Sequence, residues 1–169
     1  MTAERRPLAV IAAAVVVGLV SGAALGVVWA ALAPRVPLVV RPENAAVPDG
    51  FQPEEYLASD VAFGALAIIA GIAITIGLAS MRREHLLTVL LASLIAGALG
   101  TAAMWFVGTR LGSVDIEGLQ ATITEELVVD GPLQVSLPVM FVMWPLAGAI
   151  VVTVLALADW LADLSSRGR

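Results

Sequence analysis

The chain has 169 residues, of which 60% are hydrophobic and 14% charged; its mean hydropathy of +0.97 lies beyond soluble domains and predicts an integral membrane protein. The absence of cysteine excludes disulfides, thiol nucleophiles and Cys-ligated metals. The net charge is −5, and where those charges fall along the chain says more than their sum.

The first apolar run, residues 8–32, would extend roughly 37 Å as a helix, enough to cross a hydrocarbon core of about 30 Å with some tilt. Ala14, Gly18, Gly22, Gly26 and Ala30 place a small residue at every fourth position of it. Such a ridge lets helix backbones approach closely in lipid, so this span is expected to be the spine of the bundle. Ala31-Leu32-Ala33 resembles a signal-peptidase site. The apolar run far exceeds the ~7–15 residues of a signal peptide, however, so an uncleaved span is expected.

Residues 34–59 are polar and carry prolines at 34, 37, 42, 48 and 53. Within them, the β-branched stretch 36–40 predicts a short strand, and Asp49-Gly50 a turn. A second span follows over about 60–80, with Ser59 or Asp60 as its N-cap and Ala67, Gly71, Thr75 and Ala79 as a second small ridge. The connection 81–85 is tight and reverses the chain into a third span over about 86–107. That span has two small ridges, Ala92/Ala96/Gly100 and Ser93/Gly97/Thr101.

In the second polar loop, residues 108–136, the spacing of Ile116, Leu119, Ile123 and Leu127 predicts an amphipathic helix. Residues 127–129, the Asp130-Gly131-Pro132 turn and residues 133–137 then read as strand, turn, strand. The fourth span, about 137–158, has small residues only at Ala147-Gly148-Ala149 and is expected to pack peripherally, kinked at Pro145. The expected architecture is one integral membrane domain, a bundle of four transmembrane helices with a small extracytoplasmic cap. In that cap residues 36–41 pair with 133–137 in a two- or three-stranded sheet, which 127–129 would join as the third strand, the first strand lying at an edge because of Pro37.

Arginine placement predicts orientation. Arg5, Arg6, Arg82, Arg83, Arg167 and Arg169 fall on one side, and only Arg35, Arg41 and Arg110 on the other, so both termini are expected in the cytoplasm of a multi-pass plasma-membrane protein. The outer loops then hold Glu43, Asp49, Glu54, Glu55, Asp115, Glu117, Glu125, Glu126 and Asp130, an acidic face read first as solvated surface. Trp29 and Trp105 fall at the outer interface and Trp160 at the inner one, as an aromatic belt would have them.

Chemistry-bearing residues are few. The spans hold no ionisable residue away from their ends; Asp60 and Asp159 are candidate boundary charges at opposite faces and cannot form a dyad. His85 falls in the cytoplasmic turn, so acyl-transfer and intramembrane protease sites lack their parts. No embedded carboxylate is available to alternate between proton and substrate. Thr75, Ser93 and Thr101 read as helix–helix hydrogen-bond donors. No Gly-rich phosphate loop, Ca²⁺-loop spacing or basic-aromatic patch points to a cofactor, a metal or nucleic acid. The candidate functional positions are therefore the helix-packing glycines Gly18, Gly22, Gly26, Gly71, Gly97 and Gly100, with Asp60 and Asp159.

The segments Trp29-Ala30-Ala31-Leu32-Ala33-Pro34, Val36-Pro37-Leu38-Val39-Val40, Ala58-Ser59-Asp60, Gly108-Thr109-Arg110-Leu111-Gly112 and Trp144-Pro145-Leu146-Ala147 resemble a family of actinobacterial membrane proteins with four transmembrane helices, grouped as a domain of unknown function. The resemblance implies the plasma membrane of a high-GC Gram-positive bacterium, in keeping with an all-arginine set of basic residues. It implies no reaction and no catalytic residue. The expected function is a non-enzymatic accessory or scaffold component of the cell envelope. Its expected partners are the lipid bilayer and a membrane-protein partner or a homo-oligomer, with no nucleic acid. The alternative is a small transporter or channel component, homo-oligomeric in one version.

Overall fold

The structure is a computed structural model that describes residues 5–48, 54–82 and 85–167, with side chains for 9–48, 57–81 and 85–167. The elements in chain order are α1 (Arg5–Leu32), β1 (Pro37–Val40), β2 (Ala45–Ala46), α2 (Glu54–Arg82), α3 (Leu86–Leu111), α4 (Ile116–Thr122), β3 (Leu127–Asp130), a 3-10 turn (Pro138–Val142) and α5 (Met143–Arg167). Four of the helices are long and apolar enough to cross a membrane. The expected Asp49-Gly50 turn and the Arg83-Glu84 connection lie outside the described residues.

The small ridges decide which helices meet. A Cβ on Gly18 would come within 2.5 Å of the Ala96 carbonyl oxygen, and one on Gly26 within 2.6 Å of that of Met104. One on Gly22 would run into the Gly100 backbone. Residue numbers rise together along this contact, so α1 and α3 run parallel, backbone against backbone. The other ridge of α3 serves α5. A Cβ on Gly97 would meet the Pro145 backbone at 2.9 Å, and one on Gly148 the Ser93 hydroxyl at 3.3 Å, so this pair is antiparallel. α2 runs parallel to α5, where a Cβ on Gly71 would fall 2.5 Å from the Trp144 carbonyl oxygen.

Two expectations change here. The most extensively packed helix is α3, not α1, because α3 carries small residues on two faces, one toward α1 and one toward α5; α2 also reaches all three others, and α1 lies mainly along α3. The fourth span is not peripheral. α5 lies against both α2 and α3, and Trp144 is 1% exposed, filling space that Gly71, Gly97 and Gly100 leave open. Large residues on α5 complement small ones on its neighbours, so α5 needs few small residues of its own. Pro145 falls in the first turn of α5, where a missing N–H leaves no helical bond unmade, so it marks the helix start and not a mid-span kink.

The cap sits where α1 and α3 end and α2 and α5 begin. Its sheet has the order β2-β1-β3, both pairs antiparallel. β1 and β2 are joined by a tight hairpin in which Arg41 and Asn44 exchange backbone bonds of 2.7 Å and 3.2 Å. β1 pairs with β3 in the register Val39↔Val128 and Leu38↔Val129. The expected pairing of 36–41 with 133–137 is not formed: β1 pairs with β3 instead, and the N–H groups of Leu133, Ser136 and Leu137 are taken by Gly112 and Asp60. β1 is also central and not an edge. The Gly131 N–H donates to the Val36 carbonyl at 2.8 Å, and continuing that alternation turns the Pro37 nitrogen away from β3. On that other side β2 stops at Ala46, so the missing N–H of Pro37 breaks no ladder bond. β2 has no sequence signal, alanine being a weak strand former.

α4 is the amphipathic helix expected from Ile116 and Leu119, capped by the Asp115 carboxylate accepting from the Gly118 N–H at 2.9 Å. It ends at Thr122, so Ile123 and Leu127 leave its face.

Two measurements test this packing. Gly22→Leu should lower the thermal unfolding midpoint in mild detergent, by the equivalent of about 1–3 kcal/mol or more for an overpacked contact. Gly77→Ala should be neutral, because nothing lies within 4 Å of a Cβ there. An engineered cysteine pair at Val39 and Val128, a non-hydrogen-bonded pair with close side chains, should oxidise readily, and a pair at Val39 and Val135 should not.

Candidate functional site

The described residues with unusual polar chemistry collect where the cap meets the bundle. α2 begins at Glu54, more than a turn before Asp60, so Asp60 is not the N-cap of its own helix. Its side chain is instead fully buried and caps a different element. The Ser136 N–H donates to both carboxylate oxygens, at 3.0 Å and 3.2 Å, and the Leu137 N–H donates to Oδ2 at 2.8 Å. These two N–H groups precede the 3-10 turn that opens into α5, so the carboxylate lies where helix donors are unpaired and the dipole is positive. The expected attraction between an acid and a helix start is present, but between two helices.

The crossing stretch 131–137 is held at both of its ends and at Leu133. Gly131 bonds back to Val36, the Leu133 N–H donates to the Gly112 carbonyl at 3.0 Å, and Ser136 and Leu137 reach Asp60. Leu133 is 4% exposed and packs with Trp29, Ala33, Phe63 and Met104. Gly112 is required for this approach, since a Cβ on it would collide with Leu133.

Trp29 fixes the other side of the junction. It is fully buried, so it belongs to the core and not to an outer aromatic belt. Its Nε1–H donates to the Ser59 carbonyl at 3.1 Å, its ring stands edge-on to Phe63 at 4.9 Å, and its bulk occupies the place of a Gly108 side chain. Trp105 and Trp160 are 42% and 58% exposed. Next to the junction lies a recess of about 20 Å³ bounded by Pro34, Arg35, Val36, Ser59, Pro132 and Leu133, roomy enough for one water-sized group. Ser59 Oγ is buried without a hydrogen-bond partner, as is Thr101 Oγ1 within the bundle.

The remaining candidates lie apart. Asp159 is exposed near the far end of α5, at the opposite end of the bundle from Asp60. His85 stands at the start of α3, at that same far end. Ser93 Oγ turns back to its own Leu90 carbonyl at 2.9 Å and does not bridge helices. Thr75 is buried against Gly148. Among the described residues no group of three His, Asp or Glu converges as metal ligands would. The larger groove between α2 and α5, about 230 Å³, is walled by Ile68, Ile72, Met143, Leu146, Ala147 and Ile150, all apolar. Ser136 and Leu137 participate through backbone alone, which leaves no residue-type signal, and the Trp29–Gly108 fit needs α1 and α3 side by side.

The junction and its helices define a mostly helical chain with four helices long and apolar enough to span a membrane, closed at one end by a three-stranded sheet. Comparison with family profiles, curated proteins and solved structures finds no match.

Removing the Asp60 carboxylate strands two part-buried donors, the N–H groups of Ser136 and Leu137. Asp60→Ala should destabilise the protein by about 1–3 kcal/mol per unmet group, and Asp60→Asn, which keeps one acceptor oxygen, by less. Hydrogen exchange at residues 133–140 in detergent should accelerate in the alanine variant before exchange in α3 does.

Proposed function

We propose that the chain is a four-span integral protein of the plasma membrane that acts as a non-enzymatic scaffold of the cell envelope. It holds a rigid acidic cap outside, with both termini in the cytoplasm. The observation that carries this reading is the engagement of Asp60. It is the buried carboxylate among the described residues, and both of its oxygens are occupied by backbone N–H groups of Ser136 and Leu137. A carboxylate that shuttles protons or cations must exchange partners during each cycle; this one holds the cap and α5 in place. The groove between α2 and α5 is apolar, which suits lipid contact better than a polar path.

The orientation rests on the arginine asymmetry between the two ends of the bundle. The cap presents exposed Glu125, Glu126 and Asp130 beside β3, with Glu126 paired to Arg41 at 2.8 Å. Both members of that pair are about half exposed, so it contributes little to stability and leaves the acidic surface open to a basic partner. The actinobacterial origin rests on the short motifs named above.

Reporter fusions at Asn44, His85, Gly118 and Ser166 should read outside, inside, outside, inside. Affinity purification in mild detergent should return a stoichiometric partner, and its recovery should fall when Glu125, Glu126 and Asp130 are replaced by Gln, Gln and Asn. A homo-oligomer alone, with substrate-dependent flux in vesicles, would favour the transporter reading.

A further inference from the structure

The sheet of the cap has two edges, and they differ. β2 is only Ala45–Ala46 and Pro48 follows closely, so its outer side offers little backbone to a further strand. β3 is the other edge. Among the described residues it pairs with β1 alone, and no other element lies along its far side. The Gly131 bond to Val36 fixes the alternation: Leu127 and Val129 exchange bonds with β1, whereas Val128 and Asp130 turn their N–H and C=O groups away from it. No proline, lysine or bulge closes this edge within 127–130. Val128 is 61% exposed and Leu127 41%, so an open ladder and an exposed apolar centre coincide.

We infer that this edge is the docking site for an extended basic segment of a partner protein, which adds to the sheet as an antiparallel fourth strand. The inference rests on the scaffold reading and supplies the mode by which the acidic cap takes its partner. In an added strand, the residues opposite Glu126, Val128 and Asp130 exchange backbone bonds with them and share their face of the sheet. The segment therefore alternates: a basic residue opposite Glu126, an apolar one opposite Val128 and a basic one opposite Asp130, with one residue of any type between each.

The charges at the two ends of the edge are open to such a segment. Glu125 and Asp130 have no ion pair among the described residues, and Glu126 shares Arg41. Three carboxylates against one guanidinium leave each end of β3 negative, around the apolar centre.

The same charges reject the other occupants. If β3 paired with β3 of a second copy in the antiparallel register that overlaps the whole edge, Glu126 would fall opposite Asp130 of the copy, and parallel pairing would set each acid beside itself. Like charges directly opposite are destabilising. An acyl chain has no group to meet an open N–H or C=O, and an anionic headgroup meets the same repulsion as a second copy. A basic strand satisfies both the backbone and the charge.

The test uses the full chain in mild detergent and the end-blocked peptide Lys-Thr-Val-Thr-Lys as probe. The peptide should slow amide exchange at Val128 and Asp130 several-fold and leave exchange in α3 unchanged. In the added strand the Val amide faces β3 and the Thr amides face away, so N-methylation of the Val should abolish the protection and N-methylation of a Thr should not. Glu125→Gln combined with Asp130→Asn, both on the exposed surface, should weaken binding several-fold, and Glu-Thr-Val-Thr-Glu should not bind. No protection, binding that tolerates N-methylation of the Val, or equal protection by the Glu peptide would each overturn strand addition. So would protection by anionic vesicles without peptide, or a ready disulfide between two copies of Val128→Cys. Purification keeps the two readings apart: peptide protection with no cellular partner recovered defeats the scaffold reading, whereas an acid-dependent partner with no peptide protection defeats strand addition alone.

Discussion

The acceptance of two backbone N–H groups by the Asp60 carboxylate is the constraint on which the arrangement of cap and bundle depends. A chain crossing the end of a helical bundle must satisfy its backbone donors, and residues 131–137 form neither helix nor strand. They draw on three separate elements: Val36 before β1, Gly112 after α3, and Asp60 within α2. An acid buried without a cation is costly, and the cost is offset when both oxygens accept hydrogen bonds at the positive start of a helix. That one side chain thereby ties the sheet, the third helix's exit and the fourth helix's entry to α2. It also keeps 133–137 out of the sheet, since the N–H groups of Ser136 and Leu137, like that of Leu133, already have acceptors.

Within the bundle the governing physics is the exchange of small residues for large ones. α3 presents small residues on two faces, and the two faces are used differently. Toward α1, glycine meets glycine and the backbones touch; toward α5, glycines leave room for the indole of Trp144. Trp29 repeats the second device one level higher, set into the space above Gly108. In lipid, where no hydrophobic force draws helices together, close contact of this kind supplies most of the attraction available. The two buried indoles also fix the axial positions of α1 and α5 against α3.

These constraints give the proposed scaffold its shape. The cap cannot swing freely, because β1 follows α1 within a few residues and β3 leads through the pinned crossing into α5. At the opposite end α5 runs on past Arg82, the last described residue of α2.

The four long helices, their ridges of small residues, α4 and the strand at 37–40 were legible in the sequence, because apolar length and the four-residue and two-residue periods are local properties of a chain. So was the importance of Asp60, as an acid at the edge of an apolar run. What it binds was not legible, since its partners are backbone groups 76 and 77 residues away that any residue type would supply. The centrality of α3, the burial of Trp29 and Trp144, and the choice of 127–130 over 133–137 as partner for β1 were likewise decided only in three dimensions. A ridge shows that a helix can be approached closely but does not name the approaching helix. A β-branched stretch shows that a strand can form but not whether its hydrogen bonds are taken elsewhere. Local pattern determined the elements; competition among distant groups for the same space and the same donors decided their arrangement.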